Sequence, residues 1–170
     1  TPMHEWHVEN RALFEDVGQW KRAWYYPKEK ENFSKAVNRE VKATRDSLGV
    51  LDASTLGKID IQGPDAHSLL DFVYTNMFST LKIGKVRYGL MLREDGHVMD
   101  DGTTARLAED HYVMTTTTAA AGQVMRHLDF VHQCLHPEWD VSFISVTEQW
   151  AQFSTAGPKS QELINAVLDK

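Results

Sequence analysis

The sequence predicts an α+β fold, a mostly antiparallel β-sheet with flanking helices. Three observations carry that expectation. Val86–Arg106 reads as two strands folded back at Asp95-Gly96, a dipeptide suited to the φ > 0 positions of a tight hairpin. Residues 34–48, 66–73 and 119–135 place apolar side chains at helical spacing. Between them, 56–61, 111–118 and 139–146 are short alternating or β-branched runs separated by turn residues.

Composition narrows the class. A chain of 170 residues holds one domain or one and a fraction. The net charge of −6 argues against nucleic-acid or anionic-membrane partners, which require clustered Lys and Arg. Cys134 is the single cysteine, so neither a disulfide framework nor a thiolate metal site is expected. No apolar run approaches the ~20 residues of a membrane span, and no basic-then-apolar leader opens the chain. The default localisation is cytoplasmic.

The elements follow in order. Residues 1–33 are aromatic-rich without a period (Trp6, Phe14, Trp20, Trp24, Tyr25, Tyr26, Phe33) and read as a strap over a folded body. Trp24-Tyr25-Tyr26 is its part best suited to stack on a ligand. Residues 34–48 form a helix with Ser34 as N-cap and Gly49 as C-terminal cap. Residues 50–55 link to the strand 56–61. Gly63-Pro64-Asp65 opens a second helix whose inner face is Ala66, Leu69, Leu70 and Val73. Residues 76–85 are a loop. The strand 111–118 leads into the helix 119–135, which Pro137 stops. Strands at 139–146 and 149–155 precede Gly157-Pro158-Lys159 and a last helix with Leu163, Ile164, Val167 and Leu168 inward. The strand–Gly-Pro–helix pattern at Pro64 returns at Pro158. The expected organisation is therefore a strap (1–33), a first α+β unit (34–146) and the start of a second, truncated unit (147–170).

The hairpin holds the sharpest chemical signal. With Asp95-Gly96 as the loop, Leu90 opposes Asp101 and Tyr88 opposes Thr103. One face then collects Val86, Tyr88, Leu90, Leu92, Met99, Asp101, Thr103 and Ala105. The other carries Arg87, Met91, Arg93, Val98, Asp100, Thr104 and Arg106. The first face is the more apolar and is expected to be buried, making Asp101 an inward carboxylate and Asp100 an outward one. Tyr88 and Asp101 are diagonal neighbours about 7–8 Å apart, within reach of one ligand. A carboxylate in a core must be paired, protonated or functional, and burial would raise its pKa toward general-base work. A three-residue loop would instead place Asp100 on Tyr88's face.

Other chemistry is missing from the pattern. There is no G-x-G-x-x-G, Walker A loop or nucleophile elbow. His132 and His136 stand at i, i+4, and His4 and His7 could add ligands, but no H-E-x-x-H surrounds them. No metal site is expected. Among Thr115–Thr118, one or two hydroxyls could bond a ligand while the rest pack as ordinary strand residues.

Val50-Leu51-Asp52-Ala53-Ser54, Gly57-Lys58, Gly63-Pro64-Asp65-Ala66, Gly84-Lys85-x-x-Tyr88, Glu94-Asp95-Gly96-x-x-x-Asp100-Asp101 and Gly157-Pro158-Lys159 together resemble the folate-binding aminomethyltransferase family, typified by the T-protein of the glycine cleavage system. Phe14–Arg22, Trp24–Pro27, Met114–Thr118 and Ser145–Trp150 are most similar to its oxidase branch, the C-terminal region of heterotetrameric sarcosine oxidase α subunits. The resemblance covers essentially the whole chain. It implies tetrahydrofolate as ligand and acceptor of a one-carbon unit, leaving as 5,10-methylenetetrahydrofolate, or as formaldehyde without folate. It puts the family's key acid on Asp101, its aromatic partner on Tyr88, an apolar ligand contact on Leu56, and a ligand contact on Thr117, where glycine-cleavage members carry Asn. It implies FAD or FMN and NAD elsewhere in a full enzyme, other subunits of a hetero-oligomeric oxidase as partners, and an inactive isolated fragment. An aminomethyltransferase-type domain of another demethylating enzyme and a non-catalytic folate-binding module are the alternatives.

Overall fold

The computed structural model describes residues 1–168. In chain order the elements are α1 (His4–Glu9), β1 (Leu13–Val17), β2 (Trp20–Tyr25), α2 (Phe33–Asp46), β3 (Gly49–Asp52), β4 (Gly57–Gln62), α3 (Ala66–Val73), β5 (Val86–Leu92), β6 (Val98–Ala108), β7 (His111–Thr116), α4 (Ala121–Phe130), β8 (Ser142–Ser145), β9 (Phe153–Ala156) and α5 (Ser160–Val167). Every described strand pair is antiparallel, as the α+β expectation requires. The chain gathers into two compact units, Thr1–Thr55 with the stretch from Ala151 on, and Leu56–Trp150. These units do not part at the expected boundaries after residues 33 and 146. No described helix is long and apolar enough to cross a membrane.

In the first unit, the segment expected as an irregular strap is structured. It folds as α1 and a β1–β2 hairpin whose turn has Gly18 at φ 62°. Helix α2 is capped by Asn32, whose side chain accepts from the Lys35 N–H at 3.0 Å, so Ser34 lies inside the helix. Gly49 begins β3 instead of capping the helix, and β3 pairs with β9. The linker expected at 50–55 is thus partly strand. The aromatic side chains pack on one another, Trp24 against Phe33 at 4.8 Å and Tyr25 against Phe33 at 5.1 Å. Beneath them runs a buried polar chain. The Tyr26 hydroxyl donates to His7 Nδ1 at 2.6 Å, and His7 Nε2 donates to Asp52 at 2.9 Å. Burial opposes ionisation of Asp52, but hydrogen bonds from Ser54 and His7 outweigh it and hold the carboxyl down at about 2. On α5, Leu163 is half-buried while Ile164, Val167 and Leu168 are exposed, contrary to the inward face expected.

The second unit is a two-layer sandwich. Its sheet has the order β5-β6-β7-β4-β8. Helices α3 and α4 cover one face: Leu69, Leu70, Val73, Val124, Leu128 and Val131 pack on Ile59, Ile61, Met91, Tyr112 and Met114. Alternation along β4 and β7 selects those sheet residues. The helix expected over 119–135 is one helical run: a tight turn at Thr118–Ala120, then α4, then a widened turn closed by His136 N–H to Val131 O at 2.9 Å. Strand β8 is shorter than expected, and Thr147–Gln149 is a tight helical turn.

The two Gly-Pro openings agree in backbone detail. Gly63 and Gly157 have φ of 135° and 110°. Asp65 and Lys159 sit at φ, ψ of −95°, 11° and −97°, 10°. In each, the residue three after the glycine donates to the glycine carbonyl, at 3.0 and 3.1 Å. A Cβ would meet a backbone carbonyl oxygen at 2.3 Å in both places, which requires glycine.

Two outcomes follow. A Cβ at Gly102 would lie 2.0 Å from Thr115 O, so Gly102→Ala should cost about 1–3 kcal/mol in urea unfolding by forcing β6 and β7 apart. An unchanged midpoint would contradict the close approach. Asp52 titrates below its unfolded value, so its contribution is present above pH ~4 and lost as pH falls toward 2. Asp52→Asn should lower stability at pH 7 by about 1–2 kcal/mol and flatten the acid limb of the stability profile between those values.

Candidate functional site

The β5–β6 hairpin carries the site. Its loop has three residues, not two. Gly96 N–H donates to Arg93 O at 2.9 Å and Arg93 N–H to His97 O at 2.8 Å, with Gly96 at φ 81°. That closure pairs Leu92 with Val98. A bulge at Met99 then restores the register expected from the shorter loop, so Met91 faces Asp100, Leu90 faces Asp101 and Tyr88 faces Thr103. Loop and bulge each shift the ladder by one residue, and the shifts cancel.

Apart from Val98 and Met99, which the bulge exchanges between the faces, the faces have the expected members but the opposite burial. Met91, Asp100 and Thr104 are in the core at 0, 6 and 0% exposure, whereas Tyr88 is 54% exposed and Asp101 lies open beside it. Asp101 is therefore the outward carboxylate and Asp100 the inward one. The cause lies in residues that look unpromising as core. Gly89 leaves room for the rings of Tyr74 and Phe78, which would stand 2.8 and 3.0 Å from a Cβ there. Arg106 spends its guanidinium on the carbonyls of Leu81, Ala108 and Glu109 and stacks over Tyr112 at 5.3 Å.

On the open face, Tyr88 O–H donates to Asp101 Oδ2 at 2.8 Å. That bond raises the phenol pKa, with smaller contributions from desolvation and the charges of Asp101 and Asp100. Next to it, Thr103 N–H donates to Thr115 Oγ1 at 2.9 Å, and the two hydroxyls meet at 3.0 Å. The first pair of the β4–β7 ladder is Gly57–Thr116, so Leu56 and Thr117 stand opposite each other one step beyond it. The described β6–β7 ladder ends at Thr104–Met114, and Thr103 meets Thr115; the same register continued two positions further aligns Thr117 with Asp101. Tyr88 and Asp101 are joined directly, and Thr117 and Leu56 fall beside them when the ladders are continued past the ends of β7 and β4. Asp101 is held by one neutral donor and offers its other oxygen outward, a suitable acceptor for a ligand N–H.

Lys58 lies on the same face opposite Thr115, 3% exposed, with Nζ donating to Leu56 O at 2.7 Å. Sequence reasoning passed over it, because a lysine in an alternating strand reads as solvated; the paired threonine opposite it is the available signal. The other candidates lie elsewhere. Trp24 and Tyr26 line a cavity of about 450 Å³ in the first unit with Trp6, His7 and Glu40. His132 Nε2 bonds Trp139 O at 3.1 Å, and the His136 ring stacks on Trp139 at 3.9 Å. Among the described residues no group of three or more His, Cys, Asp or Glu converges on a metal position.

The fold is shared with a solved protein. The fold matches the glycine cleavage system aminomethyltransferase T from Bartonella henselae with a TM-score of 0.84 at 24% identity, over the whole chain and 44% of that one. At that identity the likeness speaks for fold. Residues 3–170 match the GCVT N-terminal domain model, and the chain belongs to that family. It is 53% identical over 164 residues to sarcosine oxidase subunit alpha of Corynebacterium sp. strain U-96, covering 96% of this chain and 17% of that protein. It is 47% identical to the Rhizobium meliloti subunit of the same name over its full length, again 17% of the relative. Aminomethyltransferase of Thermotoga maritima is 30% identical over 99% of this chain and 43% of its own length. The chain thus spans about a sixth of the oxidase subunits it resembles.

The Tyr88–Asp101 bond is measurable. The difference titration between the wild-type protein and Tyr88→Phe should show a phenol ionising above the ordinary value near ~10, and Asp101→Ala should bring it back down. A Tyr88 titration indifferent to Asp101→Ala would remove the pairing.

Proposed function

We propose that the open face around Asp101 is one wall of a tetrahydrofolate site, in a domain of a sarcosine oxidase-type α subunit. The observation that carries the proposal is an exposed carboxylate oriented by a phenol, with hydroxyls and an apolar side chain in adjacent strand positions. These groups fit a reduced pterin. Asp101 accepts from ring N–H groups, Tyr88 fixes the carboxylate and offers a ring edge, Thr117 supplies a hydroxyl, and Leu56 packs on the flat face. Bound there, tetrahydrofolate supplies nucleophilic nitrogens that take up a one-carbon unit. The protein's own part is to hold those nitrogens, orient them and receive a proton at Asp101. No burial of Asp101 is needed for the role, which is anchoring plus proton transfer.

The oxidase relatives support a larger assignment. In the full protein, a flavin centre outside this chain (FAD or FMN, with NAD also bound elsewhere) would oxidise sarcosine, and this domain would deliver the one-carbon unit as 5,10-methylenetetrahydrofolate. Other subunits of a hetero-oligomer are the expected partners. The isolated chain, with one wall of the pocket, is expected to be inactive. The aminomethyltransferase reading keeps the same site and ligand and is favoured by the 30% identity to the Thermotoga enzyme.

Asp101→Asn in the full-length protein should leave sarcosine consumption intact. It should weaken tetrahydrofolate binding at least about tenfold, the value of one charge-assisted hydrogen bond, and divert product from methylenetetrahydrofolate to formaldehyde. Product partitioning measured with saturating sarcosine decides it. Wild-type partitioning and affinity in the variant would sink the role of Asp101.

A further inference from the structure

The inference rests on the tetrahydrofolate reading of the Asp101 face and goes one layer beneath it. We propose that Asp100, the buried neighbour of Asp101, is a positioning residue: its carboxylate holds Thr117 in place beside Asp101 from the opposite side of the sheet.

Asp100 is 6% exposed, on the core side of β6. A carboxylate there needs a strong partner. It has one in the Thr117 backbone N–H, 3.1 Å from one oxygen and 3.3 Å from the other. Thr117 is the hinge between β7 and the helical run that becomes α4, and its own carbonyl accepts the Ala120 N–H at 3.0 Å. An anion at the head of a helical run is favourably placed. The contact therefore ties β6 to the point where the chain leaves the sheet and turns into a helix.

The consequence appears on the other face. Beyond the last β7 residue no ladder partner fixes Thr117, yet the β6–β7 register, continued past Thr104–Met114 and the Thr103–Thr115 contact, aligns it with Asp101. Thr103 and Thr115 clamp the two strands on the open face, Gly102 lets them approach, and Asp100 completes the junction from below. Without the Asp100 contact, Thr117 would follow the turn instead of the sheet. Its hydroxyl would then leave the row that presents Asp101, Thr117 and Leu56. The carboxylate never touches ligand. It acts through the backbone of a residue that does.

Three variants of the full-length protein test this, read by equilibrium titration with tetrahydrofolate and by thermal unfolding. Asp100→Asn keeps an acceptor oxygen in place and should bind within about threefold of wild type. Asp100→Ala removes the acceptor and should weaken binding at least about tenfold, at a temperature well below its unfolding midpoint. If Asp100→Ala does not fold, Asp100→Glu, which keeps the charge but displaces the acceptor by one methylene, should show the same loss. Wild-type affinity in Asp100→Ala or Asp100→Glu, with only the unfolding midpoint lowered, would reduce Asp100 to a structural residue and overturn the proposal. Equal losses in Asp100→Asn and Asp100→Ala would make charge, not contact, the cause and overturn it too. Absence of saturable binding in wild type would take down the tetrahydrofolate reading itself, a result distinguishable from either.

Discussion

Helices cover only one face of the five-stranded sheet, and that asymmetry decides what each strand residue can do. Side chains alternate along a strand, so two adjacent aspartates cannot share an environment. α3 and α4 take the side of Met91, Thr104, Tyr112 and Met114. Asp100 is thereby enclosed and Asp101 left open. Each acid answers with a neutral donor on its own side, a backbone N–H below and a phenol above. Had the helices packed on the other face, the same sequence would bury Tyr88 and Asp101 and expose Asp100.

Much of this is legible in the sequence. The helix at Gly63-Pro64-Asp65 and its four inward residues follow from capping chemistry and spacing, and all four are buried. The pairing of the hairpin was legible too, though through a loop and a bulge that offset each other. Which face is buried was not. Besides Met91, the core side of the ribbon carries Gly89, Asp100, Gly102, Thr104 and Arg106, which score as polar or featureless. Its filling comes from Tyr74 and Phe78, outside the ribbon altogether. A hydrophobic count along two strands cannot register rings donated from a loop. Similarly, the aromatic segment before residue 33 has no period because its parts are a single short helix and a short hairpin. Neither is long enough to display one.

Family resemblance and geometry contribute different things to the site. The resemblance singles out Asp101, Tyr88, Leu56 and Thr117. The registers, continued past the ends of β4 and β7, align all four on one face without using that information. Geometry then adds what the motif did not single out: Thr103 and Thr115 as a hydroxyl pair, and Lys58 anchored at the Leu56 carbonyl.

The shape of the face also limits what it can bind. Its rows cross β5, β6, β7 and the start of β4, three inter-strand gaps of about 4.8 Å each, or roughly 14 Å, and two rows are about 7 Å apart along the strands. That grid offers a carboxylate, a phenol, a pair of neighbouring hydroxyls and leucine side chains. A monatomic ion would use one corner of it. A phosphate would meet Asp101 as a like charge. An elongated, mostly flat molecule with N–H donors at one end uses the whole surface, each group meeting a different part. The antiparallel ladder keeps those parts in register, with Thr103 to Thr115 fixing β6 to β7 and Asp100 to Thr117 fixing β6 to the turn that follows β7.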